Sequence, residues 1–267
     1  MRRESIQPSS QLLPLQSGII YGPVRSRRLG LSLGINLLPC GYKLCSFNCI
    51  YCQYGWTTKP TLAPTYQLRD LPRPGDVLAE LWRALDALRA QEEPIDSITF
   101  AGNGEPTLYP DLAETIAGVK RVRDQFFPSA KVAILSNSST VGREEVREAL
   151  RLLDLRVMKL DAGSEELIRR INAPALPFHL EEIISGLKQL GDLTLQSLFV
   201  QGRVNNTDPD SVAIWIERVR EIHPSLVQVY SLDRNPADRR VRKVDRFTLM
   251  CIAAQVQREA GVEAEVY

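Results

Sequence analysis

Apolar residues recur along this chain with two alternating rhythms. Val77, Leu78, Leu81, Leu85 and Leu88 fall at helical spacing, with Asp76 as the expected N-cap. Ser97–Phe100 reads as a buried strand that ends at Gly102. Pro110 opens a helix to about Gln125, with Leu112, Ile116, Val119 and Val122 on one face. Lys131–Leu135 is the next strand, Gly142–Leu153 a helix, Leu155–Leu160 a strand and Glu165–Ile171 a short helix. Glu181–Leu190 is helical, and Leu193–Val200 extended. Asp208 caps a helix with Pro209 in its first position, running to about Ile222. Leu226–Tyr230 is a strand, and Arg246–Ala260 the last long helix. Ahead of all these, short apolar stretches from Ile19 to Leu38 are broken by Gly22, Gly30 and Gly34 and read as extended segments.

Strands alternating with helices at this interval predict parallel βαβ units. Five or six fit before the last helix, fewer than the eight of a closed barrel. The 267 residues suffice for one large α/β domain or two small ones. No composition break calls for a second, so the expected division is a loosely held arm over 1–18 and one domain over 19–267. Within that domain lie a cysteine-bearing loop at 40–56, the alternating strands and helices over about 76–233 and the helix at 246–260.

A net charge of +1 predicts no general attraction to nucleic acid or membrane. No apolar run reaches the length of a membrane span. The start, Met1-Arg2-Arg3-Glu4-Ser5, lacks an apolar signal core, so a cytoplasmic protein is expected. In that reducing compartment clustered cysteines bind metal more often than they form disulfides.

Such a cluster is present in Cys45-Ser46-Phe47-Asn48-Cys49-Ile50-Tyr51-Cys52. Thiolates are the preferred ligands of iron–sulfur clusters, and a [4Fe–4S] cluster normally takes four. Three would leave one iron open to a small molecule. Cys40 supplies the competing readings: a closed four-cysteine zinc site in a binding module, or a fully ligated electron-transfer cluster. Cys251, inside Leu249–Ala254, reads as a core residue.

Chemistry in parallel α/β barrels gathers at the C-terminal strand ends. The first such end, Gly102-Asn103-Gly104-Glu105, has two glycines that allow close backbone approach and a carboxylate able to receive an ammonium group. The next, Ser136-Asn137, offers hydroxyl and amide groups for a ribose or carboxylate, or simply makes the turn. Lys159 and Asp161 lie on one face of the following strand, as a structural ion pair or as substrate contacts. Tyr230 and Arg234 follow the last barrel strand, and Arg234 can clamp an anion. The run Arg239-Arg240-Val241-Arg242-Lys243 adds basic charge, either as a solvated loop or toward an anionic substrate. Neither His179 nor His223 sits where a triad or zinc site would need it.

The cysteine spacing, with Tyr51 in the aromatic place before the last cysteine, resembles the radical S-adenosylmethionine (SAM) superfamily. Glycines and Glu105 at the first strand end look like its "GGE" motif, with Asn103 as a departure. The resemblance implies a partial (β/α)6 TIM-like barrel. It implies a [4Fe–4S] cluster on Cys45, Cys49 and Cys52, and SAM held by Tyr51, Gly102, Asn103, Gly104, Glu105, Ser136 and Asn137. It further implies a flavodoxin- or ferredoxin-like electron donor, and reductive cleavage of SAM to a 5′-deoxyadenosyl radical that takes hydrogen from a substrate. Lys159, Asp161, Tyr230 and Arg234 are the candidates at the substrate. The stretches Tyr21–Gly30, Ser32–Gly34, Gly104–Pro110 and Tyr230–Arg234 resemble a subgroup related to the wyosine-base enzymes of tRNA. Those enzymes carry further cysteines for a second cluster, and this chain has too few. The implied substrate is a small molecule, in one reading anionic, or a tRNA.

Overall fold

The computed structural model describes residues 12–63 and 69–267. Its strands are β1 (Ile20–Ser26), β2 (Gly30–Ile35), β3 (Leu44–Cys45), β4 (Lys59–Pro60), β5 (Ser97–Phe100) and β6 (Lys131–Ser136). There follow β7 (Leu155–Lys159), β8 (Thr194–Leu198), β9 (Val200–Gly202), β10 (Leu226–Tyr230), β11 (Val241–Lys243) and β12 (Ala264–Val266). The helices are α1 (Pro74–Ala90), α2 (Leu112–Phe126), α3 (Glu144–Arg151), α4 (Glu165–Ile171), α5 (Leu180–Leu190), α6 (Pro209–Ile222) and α7 (Arg246–Ala260).

Eight strands form one sheet in the order β1-β2-β5-β6-β7-β8-β10-β12. Only β1 runs antiparallel to its neighbour; every later pair is parallel. Helices intervene after β2, β5, β6, β7, β8 and β10, which makes the expected βα units. β12 adds a strand the sequence reading does not foresee. The sheet is open, yet rolled far enough for its first hairpin to meet its last strands. Arg27, in the β1–β2 turn, pairs with Asp233 just beyond β10. Its neighbour Arg28 stacks on the rings of Tyr230, 4.4 Å away, and Tyr267, 5.7 Å away. The architecture is thus the partial barrel that the family resemblance implies, built from the βα units the alternation predicts.

Local chemistry explains the elements. All four residues of β5 are buried, as in a strand covered on both faces. In α1 the inward face is Val77, Leu81, Leu85 and Leu88. Its N-cap is Arg73 with Pro74 in the first position, not Asp76. Pro74 has the fixed φ suited to that place, and Asp76 falls in the first turn, where its charge complements the helix dipole. The Asp208 carboxylate accepts from Ser211 N–H at 3.0 Å and starts α6. Asp245 does the same for α7 with Thr248 N–H at 2.9 Å. Within α7, Leu249, Ile252, Ala253 and Val256 are buried. Cys251 is exposed, contrary to the core reading: a continuous apolar run carries no phase, and the helical period turns position 251 outward.

Residues 1–11 of the expected arm lie outside the described residues. From Leu13 onward the chain is tied down. Leu13 N–H donates to Gln53 O at 2.9 Å, and the Gln16 side chain donates to Tyr54 Oη at 2.9 Å. Two of the four cations in the basic run near β11 are paired, Arg240 with Asp238, which also holds Arg203, and Lys243 with Asp233.

Candidate active site at the cysteine loop

The cysteine loop is stitched to the barrel on two sides. On one, Leu44 N–H donates to Asn103 O at 3.0 Å, and Glu105 N–H donates to Leu44 O at 3.1 Å. Gly104 makes this approach possible: its φ is +149°, and a Cβ there would lie 1.6 Å from Leu44 O. On the other side, Asn48 N–H donates to Asn172 O and Ile50 N–H to Ile171 O, both at 2.9 Å, at the end of α4. Phe47 and Ile50 are buried anchors beneath the loop. Cys45 and Cys49 are buried, Cys52 is half-buried, and Cys40 is exposed.

Each of the three sulfurs has a side-chain N–H donor. Lys43 Nζ lies 3.1 Å from Cys52 Sγ, Asn137 Nδ2 3.5 Å from Cys45 Sγ, and Asn172 Nδ2 3.5 Å from Cys49 Sγ. Burial pushes the Cys45 thiol up to about 12, with Lys43 pulling the other way. Burial, then Cys52, pushes the Cys49 thiol up to about 11. Burial alone would lower the Lys43 ammonium, but Cys52, Cys45 and Cys49 outweigh it. Thiols so placed ionise readily only when a cationic group such as a metal cluster joins them. Among the described residues, no three His, Cys, Asp or Glu side chains form a single-ion site.

Glu105 is 1% exposed. Its Oε1 accepts from Thr107 N–H, Thr107 Oγ1 and Ser136 Oγ, and its Oε2 accepts from Asn137 N–H at 2.6 Å. Burial raises its pKa against those bonds. Among the described residues no cation pairs with it, so a ligand ammonium would complete the site's charge. Gly102, φ +136°, lies against Asn36. The Asn103 side chain is occupied, accepting from Gln16 N–H and donating to Gln16 O and Pro39 O. It therefore braces the loop from behind, while Gly102, Gly104, Glu105, Ser136 and Asn137 share one strand-end region with the cysteines.

Three of the four substrate candidates meet at the strand ends. Tyr51 Oη donates to Asp161 Oδ2 at 2.5 Å, and Asn172 Nδ2 donates to the same oxygen at 2.6 Å. Burial and then the Asp161 carboxylate push the Tyr51 phenol far up. Lys159 Nζ is 3.5 Å from Asp161 Oδ1, hydrogen-bonds Tyr230 Oη and lies over the rings of Tyr51 and Tyr230. Burial disfavours its charge, but Asp161 and then Tyr230 outweigh burial and hold it protonated. Asp161 Oδ1 also accepts from Leu198 N–H at 2.8 Å, so this carboxylate joins β7, β8, α4 and the cysteine loop. Arg234 stands apart, exposed, with its charge felt by Tyr54. Lys43, Arg28 and Asn172 are site residues the sequence reading passes over. Lys43, two places before Cys45, was the one with a local signal.

The radical SAM superfamily model matches residues 41–202, which span the cysteine loop, the Glu105 strand end and the Lys159–Asp161 strand. This chain belongs to the radical SAM superfamily. Enzymes of that superfamily use a [4Fe–4S] cluster and SAM. Among relatives, UPF0026 protein MJ1312 of Methanocaldococcus jannaschii is 33% identical over 229 residues, covering 84% of this chain and 66% of that protein. A protein named GTPase Obg from Brachyspira hyodysenteriae is 33% identical over 238 residues, covering 86% of this chain and 32% of that one. The chain thus spans less than two thirds of both relatives. In structure, this radical SAM protein is similar to TYW1 with a lysine–pyruvate adduct bound, at a TM-score of 0.58 and 17% identity, covering 86% of this chain and 74% of TYW1. No helix among the described residues is long and apolar enough to cross a membrane.

Proposed function

We propose that Cys45, Cys49 and Cys52 hold a [4Fe–4S] cluster and that the strand ends beside it hold SAM. One observation carries the rest: three thiols with three separate N–H donors, next to a buried carboxylate that pairs with no cation among the described residues. When bound, the cluster and SAM supply a 5′-deoxyadenosyl radical that abstracts hydrogen from the substrate. The chain's own residues bind and orient. Glu105 would receive the SAM ammonium, Gly104 lets the cysteine loop pack against this strand end and Gly102 makes room for Asn36, and Ser136 and Asn137 hold the Glu105 carboxylate in place. Tyr51, beside Cys52, is fixed by its hydrogen bond to Asp161. The catalytic domain is 19–267, and Cys40 stays outside the ligand set.

The substrate is anionic in this reading. Lys159 is a protonated cation at the barrel mouth, and Arg28 Nη1 is buried without a hydrogen-bond partner among the described residues. TYW1 is described with a lysine–pyruvate adduct, but a lysine held protonated by a carboxylate suits anion binding better than amine attack. A tRNA-related substrate is the second reading, supported by the resemblance of Tyr21–Gly30 and Tyr230–Arg234 to the wyosine subgroup and by the TYW1-like fold. A flavodoxin- or ferredoxin-like protein supplies the electron, in the cytoplasm. The test is anaerobic reconstitution: the protein should turn brown, take up iron and sulfide in the ratio of a [4Fe–4S] cluster, and release 5′-deoxyadenosine with dithionite and SAM. Colourless protein with stoichiometric zinc would overturn the proposal. A nucleoside comparison of tRNA after gene deletion separates the two substrate readings.

A further inference from the structure

The donors to the three sulfurs come from three different elements, and each is pinned by another acceptor. Lys43 Nζ also donates to Gly55 O at 2.9 Å. Asn137 Nδ2 also donates to Ser46 Oγ at 2.9 Å. Asn172 Nδ2 also donates to Asp161 Oδ2 at 2.6 Å and Tyr51 Oη at 3.1 Å. A donor with a second acceptor cannot swing away from its sulfur without losing that bond. The three are not equivalent: Asn137 and Asn172 are neutral, while Lys43 carries a charge.

Lys43 is 4% exposed. Among the described residues no carboxylate lies within ion-pair distance of it, although the buried Lys159 has Asp161 and the half-exposed Lys120 has Asp154. A buried ammonium without an anion costs several kcal/mol, so its charge must be matched by the sulfurs it faces. Hydrogen bonds and charge at cluster sulfurs set the reduction potential. A cation stabilises the more negative, reduced state more than the oxidised one, and a charged donor does so more than an amide.

Resting on the ligand set proposed above, we propose that Lys43 is the resident counter-ion of the cluster. It poises the cluster through Cys52 for reduction, while Asn137 and Asn172 serve as weaker neutral donors to Cys45 and Cys49. Lys43 is a positioning and tuning residue: it touches a ligand sulfur and not the substrate.

The experiment is a redox titration, followed by electron paramagnetic resonance, of the reconstituted full chain as wild type, Lys43→Met, Lys43→Gln and Lys43→Arg. Iron and sulfide are measured first in each. The Met variant should hold its cluster, and at a fixed potential its reduced-to-oxidised ratio should fall at least tenfold, a shift of about 59 mV for one electron. The Gln variant, which keeps a donor and loses the charge, should fall between Met and wild type, and Arg should restore most of the shift. A Met variant with full iron and the wild-type potential overturns the proposal. Where Met does not hold the cluster, Gln decides, and a Gln variant at the wild-type potential overturns it equally. Wild-type protein that takes up no cluster instead overturns the ligand assignment itself, and the iron and sulfide analysis reports that before any titration.

Discussion

Replacing Gly104 with alanine tests whether the cysteine loop and the Glu105 strand end are one structural unit. Gly104 sits at φ +149°, a region essentially restricted to glycine, where a side chain costs about 1–3 kcal/mol. The added Cβ would also fall 1.6 Å from Leu44 O. Leu44 O is backbone and the Cβ position is fixed by the backbone at 104, so no rotamer relieves the clash, and the loop must move off the strand end. That breaks Leu44 N–H to Asn103 O and Glu105 N–H to Leu44 O, at about 1 kcal/mol each. Strain and lost bonds together come to about 4 kcal/mol. For a domain of this size that lowers Tm by about 10 °C. The assay is thermal unfolding by circular dichroism, with iron uptake after reconstitution as a second readout. Gly75→Ala is the control, because nothing lies within 4 Å of a Cβ in that first turn of α1. It should hold stability or raise it by up to about 1 kcal/mol. A Gly104→Ala protein that melts with the parent and binds as much iron would refute the reasoning.

Cys40→Ala should leave iron uptake unchanged, whereas Cys45→Ala, Cys49→Ala or Cys52→Ala should abolish the [4Fe–4S] spectrum; equal loss in all four would restore the closed four-cysteine reading. Trp215, 1% exposed, packs edge-on to Phe199 and donates Nε1–H to Leu160 O at 3.1 Å, so Trp215→Ala should cost about 4 kcal/mol in a denaturant titration. Burial raises the Asp154 carboxyl, but bonds from Lys120, Val132 N–H and Arg123 outweigh it and bring it down to about 2. Its stabilising effect is therefore complete above about pH 4 and fades as the pH falls toward about 2. Asp154→Asn should remove about 2 kcal/mol at neutral pH and flatten the acid limb of stability against pH.

The barrel was legible where local chemistry and periodicity agree. Glu165–Ile171 and Leu226–Tyr230 stand at the positions their patterns give, and Pro209–Ile222 has the cap and proline that start it. What escaped was set by distant contacts. β12 is three residues long and exists because Val227–Val229 offer it an edge. Leu193–Val200 reads as one strand but divides into β8 and β9: Asn206 Oδ1 accepts from Val200 N–H while its amide donates to Leu198 O, so the chain turns at Phe199. No pattern within the stretch carries that instruction.

The candidate site divides in the same way. Cysteine spacing and a glycine-bearing strand end are local signals, so Cys45, Cys49, Cys52, Gly104 and Glu105 could be named from sequence. Asn172 could not, because it lies 123 positions from the sulfur it faces. Asp161 was seen as half of an ion pair with Lys159, yet its carboxylate also accepts from Tyr51, Asn172 and Leu198 N–H. Those bonds change what the pair is for. The Asp161 carboxylate is anchored by three donors besides Lys159, so on the function proposed above it is the ammonium, held by Asp161 and Tyr230, that would face a substrate. An arriving anion would therefore meet Lys159 as a cation held in place between Tyr51 and Tyr230, while Asp161 keeps the cysteine loop, α4 and β8 in register. Holding the cysteine loop and, on the function proposed above, presenting charge to the substrate thus fall to two residues of one strand end.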